Sequence, residues 1–143
     1  MAMQNNRPLP SVMADVAKAG LTGALRTKAD ATVREIMYTR GEIRAARSYV
    51  EEEKLGAWLV ARERISEDDR ALMLLAQGGG GDQPFGKLLV NKGYMTLEEL
   101  DAELEQLTLE IIRRAARMSG STLEFVDGAG EGQLDTLPNV VTA

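Results

Sequence analysis

The feature that most limits what this chain can fold into is an internal repeat: Leu55-Gly56-Ala57-Trp58-Leu59-Val60 returns thirty residues later as Phe85-Gly86-Lys87-Leu88-Leu89-Val90. The correspondence runs on. Arg62 answers Lys92, Ile65 answers Met95, Ser66 answers Thr96, Asp68-Asp69 answers Glu98-Glu99, and Leu74 answers Leu104. Agreement in both chemistry and register predicts two copies of one helix-turn-helix unit. Each copy opens with a short helix, and Ser66 and Thr96 stand just before the second. Thr96-Leu97-Glu98-Glu99 has capping-box spacing: the hydroxyl accepts from one otherwise unpaired amide while the glutamate reaches back to another. In the second copy the apolar period continues through Leu97, Leu100, Leu104, Leu107, Ile111, Ala115 and Met118, which predicts one long amphipathic helix. Leu109, Ile112 and Ala116 form a second apolar strip on roughly its opposite side, suited to another layer or to a partner.

Upstream of the repeat the period changes. Val12, Val16 and Ala19 recur at helical spacing and stop at Gly20, so a short first helix is expected there. From Leu21 to Ser48 the pattern has period two, and strand-type side chains (Thr32, Val33, Ile36, Tyr38, Ile43) replace helix formers. With Arg40-Gly41 as a two-residue turn, Tyr38 is expected to face Ile43 and Ile36 to face Ala45, giving one apolar side. Glu35, Met37, Thr39, Glu42 and Arg44 then fall on a wet or partner-facing side. Gly23 to Lys28 makes a third strand, joined through a polar turn at Asp30, and Ser121 to Val126 reads as a closing strand ended by Asp127-Gly128. The expected class is α+β: a small antiparallel sheet packed with a tandem helix-turn-helix repeat and a long C-terminal helix. Its expected divisions are a flexible start over 1–7 and a domain over 8–128, holding the sheet segment 21–48, units 54–77 and 84–118 and a closing strand 121–126. A flexible tail over 129–143 completes the chain.

Composition narrows the chemistry. The 143 residues include no His and no Cys. Imidazole acid/base catalysis, Ser/His/Asp or Cys/His nucleophiles, zinc thiolate clusters and disulfides are therefore excluded. The net charge of −5 argues against attraction to nucleic acid. It is unevenly spread: residues 1–49 hold eight Lys/Arg against four Asp/Glu, and 50–143 hold nine against eighteen. Such polarity suits electrostatic docking of another protein, or of the chain on itself. The longest apolar run, Ala71 to Ala76, is far below the ~20 residues of a membrane span, so no membrane insertion is expected. Met1 to Pro10 lacks an apolar signal-peptide core, and a cytoplasmic location is the expectation.

Gly81-Asp82-Gln83-Pro84-Phe85-Gly86-Lys87 imitates a phosphate-binding loop, but Leu88 stands where a hydroxyl should hold magnesium. The repeat explains Gly86 without any nucleotide, since Gly56 holds the same place, and Gly78 to Gly81 read as an inter-repeat linker. Glu51 to Glu53 and Asp68-Asp69 lie where helix starts favour negative charge, so no catalytic or metal role is assigned to them. Trp58 reads as a core anchor. Arg26, Arg34, Arg40, Arg44 and Arg47 gather in the sheet segment; of these, Arg40, Arg44 and Arg47 are the expected partner-binding arginines, with Leu109 and Ile112 as the apolar partner-binding candidates. No catalytic, cofactor or metal residues are assigned.

Leu21-Thr22-Gly23-Ala24-Leu25, the hairpin Ile36-Met37-Tyr38-Thr39-Arg40-Gly41-Glu42-Ile43-Arg44-Ala45-Ala46, the two Leu-Gly-x-x-Leu units and the closing Ser119-Gly120-Ser121-Thr122-Leu123-Glu124-Phe125 follow an opening helix in this order. That order resembles the PATAN domain family, found in bacteria beside receiver domains and in small proteins of motility and polarity control. The resemblance spans about residues 8–128. It implies a non-enzymatic adaptor that docks to a response-regulator receiver domain or an associated Ras-like GTPase. The Gly78 to Gly81 insertion departs from the pattern. The Leu-Gly-x-x-Leu-Val units are also similar to the cyclic-di-GMP-binding N-terminal domain of secretion and pilus ATPases. That likeness implies nucleotide contacts at Lys54 and Gln77; the second copy has Pro84 and Leu107 at those places. A homodimer through Leu109, Ile112 and Ala116 is a third expectation.

Overall fold

The computed structural model describes residues 2–5, 7–78, 84–118 and 121–128. Its elements are β1 (Ala2–Asn5), α1 (Leu9–Ala19), β2 (Gly23–Ala29), β3 (Thr32–Thr39), β4 (Glu42–Ser48) and a 3-10 turn (Glu51–Glu53), followed by α2 (Leu55–Ala61), α3 (Glu67–Gly78), α4 (Phe85–Asn91), α5 (Leu97–Arg117) and β5 (Thr122–Asp127). The strands form one antiparallel sheet in the order β1-β5-β2-β3-β4. The fold is α+β, with a long C-terminal helix as the sequence pattern requires.

Each turn follows from its residues. Gly20 closes α1 at φ 64°, and its amide bonds Ala17 and Val16 carbonyls. Arg40 and Gly41, at φ 52° and 82°, make the tight hairpin turn that matches strand twist. Gly41 is needed there for space as well, because a β-carbon would lie 2.6 Å from the Ala17 carbonyl oxygen. The hairpin tip thus rests on the end of α1.

The two helical units repeat bond for bond. Arg64 N–H donates to Leu59 O and Tyr94 N–H to Leu89 O, both at 2.9 Å; Glu63 and Gly93, at φ 60° and 81°, turn the chain between helices in each copy. Both second helices carry reciprocal caps. Asp69 N donates to Ser66 Oγ (3.0 Å) and Ser66 N to Asp69 Oδ2 (3.2 Å); Glu99 N donates to Thr96 Oγ1 (3.1 Å) and Thr96 N to Glu99 Oε1 (2.9 Å). The first copy therefore uses an aspartate where a glutamate was the expected pattern. Each box stabilises its helix by about 1 kcal/mol.

Two apolar clusters fill the interior. Leu9, Val12 and Val16 of α1 meet Leu25, Ile36, Tyr38, Leu123 and Phe125 of the sheet and Ala115 of α5. The larger cluster joins Leu55, Leu59, Ile65, Met73, Phe85, Leu89, Met95, Leu100, Leu104, Leu107 and Ile111 to Ala24, Met37, Ala45 and Ala46. α5 belongs to both, which is why its apolar period must run so far.

Several expectations are corrected. Ala2–Asn5, expected as a flexible start, forms the edge strand beside β5 because β5 offers an unpaired side there. Tyr38 faces Ile43 as expected, but Ile36 faces Ala46 and Met37 faces Ala45, since a bulge between Met37 and Tyr38 shifts the register. The side expected to be wet is buried at Glu35 and Met37; Met37 lies in a row with Ala24 and Ala45, whose small side chains let it be enclosed. Leu97 and Met118, at the ends of the long stripe, are exposed. Residues 79–81 of the expected linker and the expected tail over 129–143 lie outside the described residues.

Close approach makes a testable contrast between two glycines. A β-carbon on Gly23 would meet Val126 O at 2.3 Å and the Phe125 ring at 2.8 Å, whereas one on Gly20 meets nothing within 4 Å. In denaturant titrations Gly23→Ala should lose about 2–3 kcal/mol through overpacking. Gly20→Ala should lose only about 1 kcal/mol through its left-handed backbone.

Candidate partner-binding surface

The register sets two polar systems on opposite faces of the sheet. On one, Arg34 of β3 and Ser48 of β4 sit opposite each other, under the turn that carries Glu53. Arg34 Nε and Nη2 donate to the Glu53 carboxylate at 2.8 and 2.7 Å, Ser48 Oγ donates at 2.7 Å, and Arg114 of α5 donates at 3.3 Å. Glu53 is 2% exposed. On the other face, Glu124, Arg26, Glu35 and Arg47 occupy one row across β5, β2, β3 and β4. Arg26 and Arg47 each approach Glu35 to 2.7 Å, and Arg26 lies 3.7 Å from Glu124. Opposite charges directly across strands stabilise a sheet.

A third buried carboxylate lies between the repeats. Glu103 of α5 accepts from Trp58 Nε1 at 3.1 Å, from Arg62 Nη2 at 3.3 Å and from Arg64 Nη1 at 3.0 Å, and the Arg62 ion pair closes to 2.6 Å at Nε. Arg62 also stacks over the Trp58 ring, 5.2 Å from its centroid. Trp58 packs against the larger cluster, as a core anchor should.

Burial by itself pushes the Glu35 and Glu53 carboxyls up. Hydrogen bonds from Arg47 and Arg26 at Glu35, and from Arg34, Ser48 and Arg114 at Glu53, outweigh burial and hold both below the ordinary value of 4.5. Such groups are fixed anions, held in place rather than poised to exchange protons near neutrality. Among the described residues, no group of three or more acidic side chains is arranged to hold a metal ion.

The expected site residues separate accordingly. Arg40 and Arg44 are exposed and have no ion-pair partner among the described residues. Arg47 is not a free surface cation: it is 18% exposed, bound to Glu35 and stacked over Tyr49 at 5.4 Å. Its place in the Glu35 row removes it from the docking set. Leu109 is 47% exposed, while Ile112 is half-buried against α1's cluster, so the strip expected on α5 is open at Leu109 and Ala116 and partly closed between them. Lys54 is the residue before α2 and pairs with Glu51 at 3.4 Å; Gln77 is in the last turn of α3. In the loop that imitates a phosphate site, Gly81 to Gln83 lie outside the described residues, Pro84 precedes α4, and Leu88 is buried.

Sequence reasoning overlooked two features. Leu72 and Leu75 of α3 are 56% and 72% exposed. The repeat itself held the signal, since their counterparts in α5 are Ala102 and Glu105, outward positions. The second is a groove of about 520 Å³ lined by Pro10, Met13, Ala14 and Ala17 of α1 and by Tyr38, Glu42 and Ile43 of the hairpin. No protein-family model matches the chain, and neither the curated proteins nor the solved structures hold a match to it. No helix among the described residues is long and apolar enough to cross a membrane.

Glu35 and Glu53 predict the acid limit of the fold. The stability they add through depressed pKa values is complete above about pH 4.5 and is lost as pH falls through the folded-state values. Glu53→Gln leaves Arg34 buried without its anion and should cost about 3–5 kcal/mol. It should also flatten the pH dependence of urea unfolding. Glu52→Gln, at an exposed neighbour, should change stability by about 0.5 kcal/mol or less.

Proposed function

We propose that this chain is a non-enzymatic adaptor in bacterial signal transduction. It docks to a response-regulator receiver domain or an associated Ras-like GTPase in motility or polarity control, and works in the cytoplasm. The observation that carries the reading is the division among its arginines. Arg26, Arg34, Arg47, Arg62, Arg64 and Arg114 are held by internal carboxylates, while Arg40 and Arg44 stand exposed at the hairpin with no ion-pair partner among the described residues. Internal ion pairs fix a frame, and free arginines on a rigid turn suit recognition of an acidic protein surface. The PATAN-like order of motifs supplies the partner class.

The test is affinity capture from lysate of the native host with wild type and with Arg40→Glu/Arg44→Glu, each with and without added cyclic-di-GMP. Wild type should enrich a receiver-domain protein or Ras-like GTPase regardless of dinucleotide, and the double variant should lose it at unchanged thermal stability. Equal capture by both proteins sinks the arginine assignment. Capture only with dinucleotide moves the weight to Lys54 and Gln77. Arg47→Glu is the control for misassignment: it should unfold the protein at lower denaturant, because two acids would then meet in the Glu35 row.

A further inference from the structure

The groove between α1 and the β3–β4 hairpin lies against an open sheet edge. β4 ends the strand order, so nothing among the described strands pairs with its outer side. In a hairpin closed by a two-residue turn the pair next to the turn, here Thr39 and Glu42, exchanges hydrogen bonds, and the following pair, Tyr38 and Ile43, does not. Ile43 therefore directs its own N–H and C=O away from β3, toward the unpaired side. Its side chain is 43% exposed and forms one wall of the groove; Met13, Ala14 and Ala17 form the other. An apolar slot beside a free strand edge has the two elements of strand-addition recognition: main-chain pairing for affinity and a pocket for one side chain.

The charge around the groove describes the occupant. Lys18, Arg40 and Arg44 adjoin the lining residues Ala17, Gly41 and Ile43 in the chain, all exposed and without ion-pair partners among the described residues, against the single lining carboxylate of Glu42. The local field is thus net positive although the chain as a whole is acidic. Tyr38, which lines the groove, is buried, and its hydroxyl is one of two enclosed side-chain polar atoms without a hydrogen-bond partner among the described residues. Burial pushes its pKa up to about 12, so the hydroxyl keeps its proton and remains a donor.

We infer that the β4 edge and the α1–hairpin groove together bind an extended peptide segment of a partner protein, with one large apolar side chain in the groove and acidic residues flanking it. This deepens the adaptor reading and rests on it for Arg40 and Arg44 alone; the groove and the strand edge stand without it.

The experiment titrates ¹⁵N-labelled full-length protein with three synthetic nine-residue peptides that share a central leucine and differ in flanks of aspartate, lysine or serine. The aspartate peptide should shift the Ile43 amide and the amides of α1 around Ala14 saturably, and should bind about tenfold more tightly than the lysine peptide, a difference of about 1.4 kcal/mol. Ala14→Phe fills the groove from an exposed position and should abolish that binding while preserving the remaining spectrum. Tyr38→Phe should leave binding unchanged and stability equal or higher, because the hydroxyl it removes is enclosed. Equal binding of all three peptides, shifts confined to other surfaces, or binding unaffected by Ala14→Phe overturns the proposal. So does concentration-dependent dimerisation of peptide-free protein that Ala14→Phe removes, since the occupant is then a second copy. If Ala14→Phe leaves lysate capture intact while Arg40→Glu/Arg44→Glu abolishes it, the groove proposal falls and the adaptor reading stands; the opposite pattern separates them the other way.

Discussion

The Glu53 carboxylate is the point through which the rest of the structure is connected. It lies on the turn between sheet and helices, and takes hydrogen bonds from β3 through Arg34, from β4 through Ser48 and from α5 through Arg114. Withdrawing such a group from water costs several kcal/mol unless each lone pair is met, and here the bidentate arginine and the serine meet them at 2.7–2.8 Å. An apolar contact tolerates sliding; this one does not. It fixes how β4 enters the helical half, and so where α5 lies on the sheet. Glu35 and Glu103 repeat the device, each with two arginines, one across the sheet row and one between the helical units.

The two helical units show what repetition does and does not copy. Backbone bonds, caps and turn conformations agree at an offset of thirty residues, because these depend on local chemistry. Surfaces do not agree. At equivalent outward positions the first copy carries Leu72 and Leu75 and the second Ala102 and Glu105, while Met73 in the core answers the buried Glu103. One scaffold thus gives an apolar exposed helix in one unit and, in the other, an ionic anchor that holds Trp58.

Much of this was legible in the residues. Periodicity located α1, strands β2 to β4, both units and the long helix; Gly20, Asp30, Arg40-Gly41, Ser66 and Thr96 marked boundaries that local hydrogen bonding enforces. The bulge in β4 was not legible, since register depends on which face the core selects and one extra residue leaves the apolar pattern of Ile36, Tyr38 and Ile43 intact. Nor were the buried charges. Arg47 and Arg44 look alike in sequence, and only cross-strand pairing makes one a structural partner of Glu35 and leaves the other in solvent. The edge strand Ala2–Asn5 has no apolar alternation to announce it, because a partner strand supplies what its sequence does not.

The buried carboxylate at Glu53 joins sheet and helical units into one cooperative frame. Native-state hydrogen exchange on wild type and Glu53→Gln tests it directly. Amides of β2–β4 and amides of α2–α5 should lose protection together and by the same factor in the variant. Loss confined to the sheet, with the helical units still protected as in wild type, would contradict it.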